Sequence, residues 1–151
     1  MRIMYVCLGN ICRSPIARSV GQYICDERNL DWVIDSCGTA AYHSGENMDH
    51  RSADVLAKHG LDNSHSAKQL QKSDFETFDF IVCMDRSNIN NAKRIRGRTR
   101  SQAQLVLLGD YDPEEPGSEV PDPYYGGKRG FDLVYEQITR CIKSFYDSIT
   151  E

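Results

Sequence analysis

Short apolar runs alternate with segments of helical period along this chain, and that alternation restricts the fold more than any other feature. Residues 2–6 read as a strand, and Ile16, Ala17, Val20, Tyr23 and Ile24 then fall on one face of a helix. Ser14 suits an N-cap and Pro15 the first helical position, where a missing N–H costs nothing, so the helix is expected to start at Ser14. Residues 32–36 predict a second strand, and residues 49–59 a helix stopped at Gly60. Ser73 and Glu76 predict a capping box before a short helical turn. Two further strands are expected over 80–84 and 104–108, with a helix near 87–94 between them. Phe131, Val134, Tyr135, Ile138, Cys141, Ile142 and Phe145 keep the i, i+3, i+4, i+7 spacing of an amphipathic C-terminal helix. Four strands separated by helices imply one α/β domain over residues 1–151: a doubly wound four-stranded parallel sheet with helices on both faces.

Charge and cysteine usage narrow the function. Eighteen Lys and Arg against 22 Asp and Glu leave a net charge of −4, which argues against nucleic acid or an anionic membrane as partner. Lys93, Arg94, Arg96, Arg98 and Arg100 form the one dense basic run and read as a solvated helix end. The apolar stretch at the N-terminus is too short for a signal peptide and no run is long enough to span a bilayer, so a cytoplasmic protein is expected. Cys7, Cys12, Cys25, Cys37, Cys83 and Cys141 sit mostly in apolar segments and are expected as reduced thiols. No pair has C-x2-C spacing, and His43, His50, His59 and His65 do not cluster with the cysteines, so neither metal nor cofactor is expected.

Cys7 to Arg13 has the spacing Cys-x5-Arg. Spacing alone decides little, because Cys12 to Arg18 repeats it. Local backbone chemistry separates the two. Cys7 ends a strand and precedes Gly9 and Asn10, which tolerate left-handed backbone, and then a helix N-terminus. Successive N–H groups can there turn inward around one phosphate, with Arg13 closing a two-pronged fork over it. The Cys12 match runs into Pro15 and the helix. A positive cradle favours a thiolate at Cys7, able to attack phosphorus, and Ser14 is placed to donate to the sulfur.

A leaving oxygen needs a proton donor, and the long irregular stretch 109–130 offers Asp112-Pro113 and Asp122-Pro123. Glu114 and Glu115 make the first read as a solvated acidic turn. Tyr124 and Tyr125 put aromatic walls beside Asp122, limiting water and favouring its protonated form. Cys12 lies five positions after Cys7 in a loop curled around one anion, so the two sulfurs are expected close together. Cys12 is then the candidate resolving thiol after oxidation of Cys7.

Taken together, VCLGNICRSPIA, DSCGTAAYH, FDFIVCMDRSN and DPYYGG closely resemble the low-molecular-weight protein tyrosine phosphatases over nearly the whole chain. The resemblance implies hydrolysis of phosphotyrosine in proteins and of small aryl phosphates, with phosphate or vanadate as inhibitors and a monomer or weak dimer as the assembly. It implies Cys7 as nucleophile, Arg13 as phosphate clamp, and Asp122 as general acid and then base. Asn10 and Ser14 shape the loop, and Leu8, Gly9, Ile11 and Cys12 surround the substrate. Ser36 and His65 are implied as hydrogen-bond partners of the Asn10 side chain, and Tyr42 with Tyr124 and Tyr125 as pocket walls. The chain carries Lys68 where the family often has Arg, and Arg86 where an acid is frequent. Neither is expected to touch the catalytic residues. Two other readings compete: an arsenate reductase of the same fold, for which no cysteine between 85 and 108 completes a relay with Cys83, and a non-catalytic phosphotyrosine-binding module.

Overall fold

The computed structural model describes residues 1–150. Its elements are β1 (Arg2–Cys7), α1 (Arg13–Glu27), β2 (Val33–Gly38), α2 (His50–Lys58), α3 (Asp74–Thr77), β3 (Phe80–Cys83), α4 (Arg86–Arg96), β4 (Gln104–Leu107), a 3-10 turn (Leu108–Tyr111) and α5 (Lys128–Ile149). All strand pairs are parallel and the order is β2-β1-β3-β4. The chain leaves β1 toward β2 on one side and later places β3 on the other. That reversal opens a crevice beyond the C-terminal end of β1, where an open α/β sheet binds its ligands.

Strand alternation divides the core. Ile3, Tyr5 and Cys7 of β1 face α1 and α5, together with Ile16, Val20, Ile138 and Phe145. Met4 and Val6 face the other way, onto Phe75, Phe78, Ile81, Cys83 and Ala92 beneath α3 and α4. Both faces are dry, which explains why β1 is an unbroken apolar run rather than an alternating one. Full burial of a side chain such as Phe145 contributes about 1.5–3 kcal/mol before entropy is counted. Among the described residues, no helix is long and apolar enough to cross a membrane.

Several boundaries differ from expectation for local reasons. The α1 helix begins at Arg13, one residue early, and Ser14 does not cap it: its hydroxyl turns inward toward Cys7 and Asn10. Ser73 makes no side-chain capping bond, and the Glu76 N–H goes to its backbone carbonyl instead. The reciprocal capping box sits at α4, where Asp85 and Asn88 bond each other's backbone N–H. At the end of α2, Asp49 caps the start and Gly60 follows with φ +72.

Asp112 is the clearest correction. It is buried rather than solvated, with Oδ1 accepting from Arg140 Nε at 2.9 Å and from Glu114 N at 2.9 Å, and Oδ2 accepting from Arg140 Nη2 at 3.1 Å. This carboxylate ties the long loop to α5. Gly109 is required in the same turn, since a Cβ there would lie 1.5 Å from the Ser118 carbonyl oxygen.

Candidate active site

The segment between β1 and α1 curls around the crevice. Asn10 takes φ +58, a left-handed conformation that an Asn tolerates and that turns the loop back on itself. Its side chain is fully buried and fully used. Asn10 Nδ2 donates to Ser14 Oγ at 2.8 Å and to Ser36 Oγ at 3.0 Å, while Oδ1 accepts from Lys68 N at 3.0 Å. His65 reaches Asn10 at its carbonyl, 2.7 Å from Nε2, and not at its side chain as expected. Lys68 also touches the loop after all, through a backbone N–H that any residue type supplies. Gly38 closes the rear, because a Cβ there would come within 2.6 Å of the Leu8 carbonyl oxygen.

Ser14 Oγ lies 3.0 Å from Cys7 Sγ and 3.3 Å from the Cys37 carbonyl. Since Asn10 donates to this oxygen, the one hydroxyl hydrogen is free to point at the sulfur, the nearer acceptor.

Arg13 is nearly buried at 2% exposure, and its position is set from the far side of the crevice. Nη1 donates to Asp85 Oδ2 at 2.7 Å and to the Val120 carbonyl at 2.9 Å, and Nη2 stands 3.8 Å from Asp122 Oδ2. Burial opposes its charge, yet Cys7, Asp85 and Asp122 outweigh that and raise its pKa further. Val120 is itself pinned by its N–H to the Met84 carbonyl at the end of β3. Arg86, outside the site, holds the approach to this loop through the Gly117 carbonyl and the Glu119 carboxylate.

A cleft of about 240 Å³ opens over the loop, lined by Cys7, Leu8, Gly9, Ile11, Cys12 and Arg13 at its base and by Asp122 and aromatic side chains at its mouth. Tyr42 at 75% exposure and Tyr125 at 94% stand as a rim rather than as walls, and Tyr124 is the less exposed of the pair. Asp122 Oδ1 accepts the Tyr124 N–H at 3.1 Å, and its side chain is 39% exposed, so the tyrosines do not shut it from water as expected. Cys12 borders the same cleft as Cys7 but stays a thiol, its pKa raised by burial first and then by the charges of Asp49, Cys7 and Asp122. All six cysteines are free and buried.

Three residues of the site escaped sequence reasoning. Asp85 was legible in principle as a strand-ending Asp three before Asn88, a capping signature. His43 joins the mouth of the cleft and bonds Glu46. Arg51 had no local signal at all. From α2 it grips Asp49 through two bonds and reaches the carbonyls of Tyr124 and Gly126, each at 2.9 Å, with its guanidinium 4.5 Å above the Phe131 ring.

Fold and site together define a small α/β protein with a Cys-x5-Arg loop at the switch point of its parallel sheet. The family model described as low molecular weight phosphotyrosine protein phosphatase matches residues 2–151, and the chain belongs to that family. The low molecular weight phosphotyrosine protein phosphatase of Gallus gallus is 43% identical over 148 residues, covering 96% of this chain and 93% of its own. A protein tyrosine phosphatase from Entamoeba histolytica, crystallised with Hepes in its active site, superposes with a TM-score of 0.92 at 32% identity, covering 99% of this chain and 96% of its own. DARP, the drosophila arginine phosphatase, superposes with a TM-score of 0.93 at 30% identity, covering 100% of this chain and 99% of its own.

Proposed function

We propose that the chain hydrolyses phosphotyrosine in proteins, and small aryl phosphates, through a phosphocysteine on Cys7. The observation that carries this reading is the convergence on one cleft of the Cys7 sulfur, the Arg13 guanidinium and the Asp122 carboxyl. The phosphate monoester enters with its oxygens against the N–H groups of residues 8–13 and the Arg13 fork. For that, Arg13 keeps its bond to Asp85 and turns Nη2 and Nε to the anion. The Cys7 thiolate attacks phosphorus as the P–O bond to the leaving group breaks, and Asp122 transfers its proton to the departing oxygen. A water then attacks the phosphocysteine while Asp122, now a carboxylate, takes its proton, and the thiolate leaves with the Ser14 hydroxyl donating to it. No metal or cofactor enters either step.

Ile11 and the tyrosine rim favour a flat apolar group beyond the phosphate, as in phosphotyrosine. A phosphoarginine, whose phosphorus is bonded to a guanidinium nitrogen, lacks such a ring, and the residues lining the cleft offer it Asp122 as their one carboxylate, already assigned to proton transfer. Arsenate reduction is disfavoured by Cys83, which lies in the apolar core on the sheet face opposite Cys7, out of reach of a relay. A non-catalytic module has no use for an acid beside the nucleophile. The test is steady-state hydrolysis of phosphotyrosine and phosphoarginine peptides, with arsenate reduction assayed in parallel. Phosphotyrosine turnover abolished in Cys7→Ser, with phosphate or vanadate still bound, is the expected result. Measurable turnover by the pure Cys7→Ser protein, or a preference for phosphoarginine, defeats it.

A further inference from the structure

A second cleft of about 240 Å³ shares no residue with the first and is lined by Arg18, Asp35, Ser64, His65, Ser66 and Lys68. Three elements supply them: Arg18 comes from α1, Asp35 from β2, and the rest from the segment after α2. Every one is polar or charged. Asp35 is answered by the Lys68 ammonium, and the Ser64 hydroxyl donates to Asp62. Arg18 forms no ion pair among the described residues. Asp62 feels the Arg18 charge, but its carboxylate is held first by the Ser64 N–H and hydroxyl and makes no ion pair with the guanidinium, so the Arg18 donors stay open to a cavity whose walls are hydrogen-bonding groups. The charge is also felt at His65, whose pKa is lowered by burial first, with Arg18 and Lys68 adding to the effect against the Asn10 carbonyl and Asp35.

This cleft is mechanically joined to the catalytic loop. His65 Nε2 donates to the Asn10 carbonyl, and the Lys68 N–H donates to Asn10 Oδ1. Two of its six lining residues thus hold both ends of the one left-handed residue of the cradle, whose amide in turn orients Ser14 against Cys7.

We propose that the rear cleft binds a small tetrahedral oxyanion, phosphate either free or carried on a small metabolite, and that its occupancy reaches the catalytic loop through His65 and Asn10. The Arg18 fork takes two oxygens and the Ser66 hydroxyl a third. An anion beside the imidazole favours the doubly protonated ring, and its Nε2–H bond to the Asn10 carbonyl becomes charge-assisted and firmer. The groups that face His65 are Arg18 from α1, Asp35 from β2 and Lys68 from its own segment, so the anion meets two cations and one acid already paired. Binding does not depend on what the front cleft does. The effect on turnover rests on the phosphatase reading.

Two measurements test this. The full chain, with Cys7 alkylated so that the front cradle is blocked, is titrated at constant ionic strength with inorganic phosphate and separately with a sugar phosphate. The His65 ring and Asn10 amide resonances are followed by NMR. Saturable shifts of both are expected in wild type and in Arg18→Lys, with affinity about tenfold weaker in Arg18→Ala, the loss expected of one charge-assisted contact. Tighter binding of the sugar phosphate assigns the site to a carried phosphate, and equal or weaker binding to the free ion. No saturable His65 shift, or an Arg18→Ala protein that titrates like wild type, overturns the site. An Asn10 amide that stays still while His65 moves overturns the coupling. In the unmodified enzyme, kcat on p-nitrophenyl phosphate, extrapolated to saturating substrate so that competition at the front drops out, is expected to rise about twofold with phosphate, a modest coupling. Arg18→Ala should keep the basal kcat and lose the rise. A chain that hydrolyses nothing contradicts the phosphatase reading alone, since the Asn10 amide still reports the coupling.

Discussion

Arg51 donates to the Tyr124 carbonyl at 2.9 Å, and with its second arm to Gly126, so that α2 holds the loop carrying Asp122 from outside the cleft. Its own carboxylate partner, Asp49, caps α2 and keeps its pKa low through the Arg51 side chain. The position of Asp122, the proposed acid, is thus set by a residue that does not line the cleft. Arg51→Ala is expected to lower kcat about tenfold on phenyl phosphate, whose leaving group needs the proton, and less on p-nitrophenyl phosphate. Arg51→Lys should recover little, because a single ammonium cannot span two carbonyls and Asp49. Equal losses on both substrates would place Arg51 outside the proton-transfer geometry.

Asp122 itself should show the same selectivity more strongly. Asp122→Ala is expected to slow phenyl and alkyl phosphates more than p-nitrophenyl phosphate. The proposed mechanism needs a deprotonated Cys7 and a protonated Asp122, so the pH profile of kcat should have two limbs, and Asp122→Asn should lose the alkaline one. A descending alkaline limb that persists unchanged in Asp122→Asn would assign it to another group.

Asp112 answers to stability rather than to chemistry. Burial raises its pKa, but Arg140 and the N–H groups of Glu114 and Glu115 lower it more, and the net shift is downward. A group depressed in the folded state stabilises above its unfolded value and loses that contribution as pH falls through the folded one. The contribution is therefore whole above about pH 4 and drains away in more acidic solution. Asp112→Ala leaves Arg140 unanswered and the loop untied, and should cost about 3 kcal/mol at neutral pH. Urea unfolding at pH 7 and pH 3 checks this: the gap between wild type and variant should narrow at the lower pH. A gap of equal size at both values would show that the charge is not what matters.

Cys12 borders the same cleft as Cys7 and remains a thiol. If Cys7 is the nucleophile proposed above, peroxide is expected to oxidise it to a sulfenic acid, with which the Cys12 thiol condenses to form one S–S bond and release water. After peroxide and then dithiothreitol, wild type should recover most activity and yield a Cys7–Cys12 linked peptide by mass spectrometry. Cys12→Ser should be lost permanently, with Cys7 carried on to sulfinic acid. Full recovery of the Cys12→Ser protein would mean that Cys12 gives no protection.

Local order carried the sequence reading far. The run of Ile3 to Val6, the Gly and Asn after Cys7 and the period of α5 are properties of neighbours a few residues apart, and period and backbone tolerance act at that range. They led to the parallel sheet, the cradle and the choice of Cys7 over Cys12. Tertiary structure alone decided the partners. Ser14 faces the Cys7 sulfur as its neighbours suggest, yet it does not also cap α1, and it is the buried Asn10 amide, held by Ser36 and Lys68 from elsewhere in the chain, that fixes its hydroxyl. Asp112 reads as solvated beside two glutamates, yet Arg140 comes to it from 28 residues away. Asp85 and Arg51 reach Arg13 and Tyr124 across 72 and 73 residues. Side-chain hydrogen bonds and ion pairs depend on where separate elements are brought together by packing, and nothing in the order of residues around either end records that meeting.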